Sequence, residues 1–326
     1  MKTWIKGLAA VSGTLAVGRI ILKNASNRSM KSQLTEWLIS AQNNEVNYND
    51  YDSKCDFVNQ LYEINALDYQ LPTGFSPKSN VHEYRIGTTQ VFKYQSKQHS
   101  QIGILYIHGG AYIHQPNLFH QRFVDDIAHD MNITVEMPIY PKAPNDIFVS
   151  AYESMIDIYQ HMIETYEDVM IIGDSAGGGM AVGLMQLIKE QDIKQPLHAM
   201  LISPWIDMTM DNDSINAELQ QSDPMLTVES LKFAGDLWCG HTDKHHHLLS
   251  PTFGDLENMP PMTIFVGTRE ILLPDIRLFK DKLQNLNTKV EYHEFMNQNH
   301  DFPLYPIPEA NEAKHIIYQT IHRICK

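Results

Sequence analysis

From residue 81 onward the apolar positions form short runs separated by segments of helical spacing. Residues 81–94 alternate in the manner of strands about Gly87-Thr88, which predicts an antiparallel hairpin. A regular rhythm then begins. Ile102 to Ile107 predicts a strand, 118–130 a helix, 133–136 a short strand and 147–166 a helix. Val169 to Ile172 predicts the next strand, with a helix running on to about Glu190. The runs at 198–202, 262–266 and 290–295 predict further strands, and 274–286 and 309–325 predict helices. Such alternation implies an α/β architecture: a mostly parallel sheet with helices on both faces and the opening hairpin as a mixed edge.

Two segments stand outside the rhythm. Residues 29–70 read as amphipathic helix, with Leu34, Trp37, Leu38 and Ala41 at helical spacing, and Phe57, Leu61 and Ile64 likewise. Residues 72–77 are turn-rich and mark a boundary. Between Asp207 and Pro251 a long polar stretch holds one helical segment, 228–237. An insertion after a strand's C-terminal end is where a lid or cap sits. At the N-terminus, Lys2 and Lys6 precede an apolar stretch from Gly7 to Leu22, broken by Ser12, Thr14 and Arg19. Three readings stay open for it. They are a helix lying on the protein, a membrane-surface anchor, and a signal peptide cleaved after Ala16-Val17-Gly18.

Composition narrows the function classes. The chain has 326 residues, 43% apolar and 20% charged, enough for a large core. Its formal net charge of −14 argues against a nucleic-acid partner and disfavours anionic substrates. Cys55, Cys239 and Cys325 form no C-x-x-C pair and suggest a reducing compartment without disulfides. A cytoplasmic location follows, with membrane association through residues 1–25 as the alternative.

The densest chemistry lies at Gly173-Asp174-Ser175-Ala176-Gly177, directly after the strand at 169–172 and before a helix. This strand–turn–helix context is that of a nucleophile elbow. Small neighbours leave room for a strained serine whose hydroxyl projects from the top of the sheet, above a helix N-terminus. A serine hydroxyl needs a base, an acid to orient the base, and donors for the oxyanion. His300 follows the last strand in a loop that Pro303 keeps from becoming helix, and is the candidate base. The loop after 262–266 offers two acids, Glu270 and Asp275; Glu270 lies nearer the strand end, whereas Asp275 follows Pro274 and suits a helix N-terminus. His108-Gly109-Gly110-Ala111-Tyr112 follows the strand at 102–107, and its glycines leave backbone N–H groups unobstructed. The expected donors are the N–H groups of Gly110, Ala111 and Ala176, with Gly109 shaping the loop and His108 supporting it. His245, His246 and His247 read as a solvated cluster. His241 and His245 have the spacing of metal ligands but no third partner, so no metal is expected.

Together these residues resemble the hormone-sensitive-lipase-like family of bacterial esterases, within the α/β-hydrolase fold. Tyr140-Pro141-Lys142-Ala143-Pro144, Ser203-Pro204-Trp205-Ile206-Asp207 and Ser222-Asp223-Pro224-Met225 are also similar to family segments, over roughly residues 80–325. The resemblance implies hydrolysis of short to medium acyl carboxylic esters through an acyl-enzyme, with no cofactor. Lactonase, amidase, peptidase or acyltransferase chemistry on the same triad is the alternative. It also implies a cap built from the helices of residues 1–75 and the 207–250 insertion, over a hydrolase domain of residues 76–326. The implied partner is a small-molecule ester, and a homodimer is compatible with the family. Trp37, Met208, Met210, Met225 and Trp238 would line an apolar acyl pocket or simply form cap core. Three positions depart from the family. Ala111 replaces a third glycine; it still presents an N–H, and the hole survives if its φ is negative. Glu270 stands where aspartate is usual, and Asn145 where glutamate is usual.

Overall fold

A computed structural model describes residues 28–42, 46–95 and 100–326. The stretch from Gly7 to Leu22 lies outside the described residues. The alternating segment forms β1 (Asn80–Ile86) and β2 (Thr89–Gln95), paired antiparallel across Gly87-Thr88. The rhythm that follows gives β3 (Ile102–Ile107), β4 (Thr134–Pro138), β5 (Asp168–Asp174), β6 (His198–Ile202), β7 (Met262–Gly267) and β8 (Val290–Phe295). The eight strands lie in the order β1-β2-β4-β3-β5-β6-β7-β8. β2 meets β4 antiparallel, and all later neighbours pair parallel.

Nine helices occur among the described residues. They are α1 (Met30–Gln42), α2 (Tyr51–Asn65), α3 (Leu118–Met131), α4 (Phe148–Thr165), α5 (Ser175–Glu190), α6 (Ala217–Ser222), α7 (Val228–Cys239), α8 (Leu273–Asn285) and α9 (Pro308–Ile324). Successive strand residues point to opposite faces, and each face is covered. Leu105, Ile107 and Ile171 share a core with residues of α4, α5 and α8. Ile104, Tyr106, Met170 and Ile172 share the other with residues of α3 and α9. The central strands β3 and β5 are therefore buried on both sides, and loops at their C-terminal ends rest on a stiff support.

The N-terminal region departs from the sequence expectation. Residues 29–70 form two helices, the second begun by Asp50, which accepts the Ser53 N–H at 2.8 Å. In α2, Leu61 is buried, but Ile64 is exposed. In α1, Leu34, Trp37 and Leu38 are all exposed, Trp37 by 64%. Period alone found the helix and misjudged its environment, because polar residues hold it. Ser29 donates through N–H and Oγ to Glu309, and Glu36 accepts from Arg28 and from Arg269 Nη1, the latter at 2.7 Å. Ser40 Oγ donates to Pro224 O at 3.3 Å, which joins α1 to the 207–250 insertion. Within that insertion Met208, Met210 and Trp238 are buried in the core. Among the described residues no helix is long and apolar enough to cross a membrane.

Candidate active site

β5 delivers the chain to the site. Asp174 ends the strand and Ser175 opens α5 with no residue between them. So abrupt a turn forces Ser175 to a φ of 52°, in the left-handed region where a side chain is strained. The turn also lies against β3. A Cβ at Gly177 would stand 2.0 Å from Ile107 O, closer than any atom can approach, so glycine is required there. Trp205 N–H donates to Ser175 O at 2.9 Å and ties the elbow to the loop after β6.

Three side chains from separate loops meet at this point. Ser175 Oγ lies 2.8 Å from His300 Nε2, and His300 Nδ1 lies 2.7 Å from Glu270 Oε2. These partners assign the tautomer: Nδ1–H donates to the carboxylate, and Nε2 accepts the serine proton. Glu270 is fully buried and also accepts from Gly267 N–H at 2.7 Å and Ser203 Oγ at 2.8 Å. Three donors thus satisfy this buried carboxylate. Asp275 turns elsewhere and accepts from Asn212 Nδ2 at 2.7 Å, and burial pushes its pKa up to about 6. The longer glutamate thus reaches His300 from the strand end, while the aspartate occupies the first turn of α8. Burial opposes a charge on His300. Asp301, Glu270 and Asp223 outweigh it, and its pKa is pushed up to about 10.

The loop after β3 curls over the serine. Gly109 N–H donates to Asp174 Oδ2 at 3.0 Å, so this amide is committed to holding the loop. Tyr106 and His120 also donate to Asp174, which makes the residue beside the nucleophile an anchor. A Cβ on Gly109 would stand 2.3 Å from that same carboxylate. His108 Nδ1–H donates to Gly109 O at 2.6 Å, and its ring stacks on Tyr140 at 4.4 Å. Burial, with help from Lys142 and His120, holds the His108 pKa well below its usual range, so it is a neutral support. Gly110, Ala111 and Tyr112 carry φ values of 115°, 52° and 63°. The negative φ set as the condition at Ala111 is therefore not met, although its N–H is present at either sign of φ. Three consecutive left-handed residues reverse the chain over the elbow, and Ala111 takes part in the reversal. Ala176 is fully buried in the first turn of α5. Asn145 Nδ2 donates to Tyr62 O at 3.0 Å, so the residue that replaces a glutamate holds α2 to the body.

Three contributors to this site escaped the sequence reading. Ser203, at a φ of 45°, gives Glu270 its second side-chain partner and accepts from Asp301 N–H at 3.2 Å. Asp223 is buried and accepts from Met225, Leu226 and Ile271 N–H, each at 2.9 Å, which pins the acid loop to the insertion. Asp301 lies beside His300, with Oδ2 3.2 Å from Nε2. Ser203 and Asp223 lie in segments that resembled the family, but only the tertiary structure shows what they touch. Among the described residues no cluster of His, Cys, Asp or Glu is arranged to hold a metal ion.

Comparison with known proteins agrees with this architecture. The alpha/beta hydrolase fold family matches residues 104–304, from β3 through the loop that carries His300. An esterase of Acinetobacter venetianus is 29% identical over 221 residues, covering 64% of this chain and 71% of the relative. An acetyl-hydrolase of Streptomyces hygroscopicus is 28% identical over 215 residues, covering 64% and 72%. Among solved structures, an esterase candidate from Staphylococcus aureus superposes with a TM-score of 0.81 at 28% identity, covering 83% of this chain and 93% of that one. A hormone-sensitive lipase from a metagenome library superposes at 0.72 with 25% identity, covering 83% and 96%. A family match that embraces the elbow, the acid loop and His300, beside relatives of this kind, means that the chain belongs to the alpha/beta hydrolase fold family, in its hormone-sensitive-lipase-like branch of esterases.

Proposed function

We propose that the chain hydrolyses carboxylic esters of short to medium acyl length through an acyl group carried on Ser175. The observation that carries the reading is the unbroken line from Glu270 through His300 to Ser175, with bonds of 2.7 and 2.8 Å. His300 Nε2 takes the Ser175 proton as Oγ attacks the ester carbonyl. Glu270 holds the ring and stabilises the imidazolium. The N–H groups of Gly110, Ala111 and Ala176 receive the tetrahedral oxyanion, while Gly109 keeps the loop in register through Asp174. The imidazolium gives its proton to the departing alcohol. Water then repeats the sequence: it loses a proton to His300, attacks the acyl carbon and releases the carboxylic acid.

α1, α2 and the 207–250 insertion serve as a cap in this reading. Asn65 Nδ2 supports it by donating to Ile113 O at 2.9 Å and Ala143 O at 3.0 Å, beside the oxyanion loop. The acetyl-hydrolase name of one relative and the buried aromatic stack of Tyr112 and Trp205 with Trp238 of the cap favour small acyl groups. Ser175→Ala should lower turnover of a chromogenic short-chain acyl ester by on the order of 10⁴-fold or more, with an unchanged circular dichroism spectrum. Activity retained in that variant would sink the assignment. Offering the same acyl group as ester, lactone, anilide and transfer donor identifies the preferred leaving group.

A further inference from the structure

Four carboxylates lie buried around His300, and three of them are fully provided for. Glu270 accepts from Gly267 N–H, Ser203 Oγ and His300 Nδ1–H. Asp174 accepts from Tyr106, His120 and Gly109 N–H. Asp223 accepts from three backbone N–H groups. Asp301 differs. Its Oδ1 is buried with no hydrogen-bond partner among the described residues, and its Oδ2 approaches only His300 Nε2, at 3.2 Å. That nitrogen is the one that must take the serine proton. A buried carboxylate without donors is costly when ionised and becomes tolerable when it holds a proton.

We propose that Asp301 and His300 hold one proton between them in the resting enzyme, and that this pair, not His300 alone, sets the acid limb of the pH profile. The proposal rests on the triad reading of Ser175. With the proton on Asp301 and the carboxyl O–H turned away from the ring, the imidazole is neutral and the single lone pair of Nε2 accepts from Ser175 Oγ. With the proton on His300, Nε2–H faces both Asp301 and Ser175 and cannot take another, so that arrangement is idle. The proton crosses 3.2 Å between the two, with no other group gaining or losing one. Burial holds Asp301 well above the ordinary carboxylate range. The imidazolium pulls it down, while Asp174, Glu270 and Asp223 push it further up. The remaining titratable groups that feel Asp301 are the hydroxyls of Tyr106 on β3 and Tyr305 after the Phe302–Leu304 turn, both held protonated by burial. Two sites coupled this strongly titrate as a pair, in two steps.

Asp301→Asn keeps the shape and removes the proton site. Asp301→Gly does so on a backbone whose φ of 53° suits glycine, which guards against misfolding of the first variant. In wild type, kcat/KM for a short acyl ester should rise in two steps between pH 5 and 10. In both variants it should rise in one step, with its midpoint lower by one pH unit or more. Midpoints that coincide with wild type, or a uniform loss at every pH, would overturn the proposal. A measurement on the wild type needs no substitution: the rate at which a small fluorophosphonate labels Ser175, followed against pH. Two steps support the shared proton, and a single step at or below pH 6.5 overturns it. Failure of the triad reading looks different, as Ser175→Ala would then still turn over ester.

Discussion

At the scale of single residues, strain is concentrated where the proposed chemistry occurs. Ser175, Ser203 and Asp301 adopt left-handed φ values, as do Ala111 and Tyr112 in the oxyanion loop. Each costs free energy that the surrounding hydrogen bonds offset. Ala111 is the informative case, since a glycine there would keep the N–H. The left-handed conformation costs an alanine about 1–2 kcal/mol, and glycine's extra freedom in the unfolded chain returns about 0.5–1 kcal/mol of that. Ala111→Gly should therefore stabilise the fold by about 0.5–1 kcal/mol, read as a higher urea midpoint at unchanged slope. An unchanged or lower midpoint would mean that the alanine methyl contributes packing that outweighs the strain.

At the scale of elements, the strand–helix alternation was legible because strands buried on both faces need unbroken apolar runs. β3, β5, β6 and β7 show this, and their bounds fall within two residues of expectation. Ser175 and Glu270 were legible for a related reason, since each closely follows such a run; His300 follows β8, whose VEYHEF alternates and is half-buried, and was placed by its late loop instead. α1 was not legible in the same way. Leu34, Trp37 and Leu38 face outward, and ion pairs with no local sequence signature help hold the helix in place. Glu36 is the hub, facing Arg28, which is almost wholly buried, and Arg269, the residue before the proposed triad acid. Removing one partner of a buried pair costs about 3–5 kcal/mol, and a partly exposed carboxylate about 2–3 kcal/mol. Glu36→Ala should therefore loosen α1 and the acid loop together. Hydrogen exchange should accelerate in 30–42 and in 269–273 before global unfolding, and slow exchange persisting at 269–273 would show that the helix and the loop are independent.

At the scale of the whole molecule, the net charge of −14 conceals buried groups that oppose one another. Lys142 is 3% exposed, and its amine donates to Tyr140 O at 2.7 Å. Burial lowers its pKa from 10.5 to about 7, against the pull of Asp146. Between pH 7 and 10.5 the unfolded chain holds a proton on this lysine that the fold has released, so Lys142 makes stability rise with pH across that window. His300 does the reverse. With Asp301 it keeps a proton in the fold above pH 6.5, where both groups have released theirs in the unfolded chain, so the stability the pair contributes is lost as pH rises toward 10. In wild type the two slopes run against each other, and the profile from pH 7 to 10 should be shallow. Lys142→Met keeps length and apolar contact without the charge. It should stabilise the fold by about 2–4 kcal/mol at pH 6, with the gain shrinking toward zero near pH 10.5. The variant's own stability should then fall with rising pH, because the His300 contribution is no longer opposed. Guanidinium unfolding of both proteins at pH 6, 8 and 10 measures this. An equal gain at all three would mean that Lys142 keeps its proton in the fold throughout, which a buried amine with a single acceptor can do only if solvent reaches it.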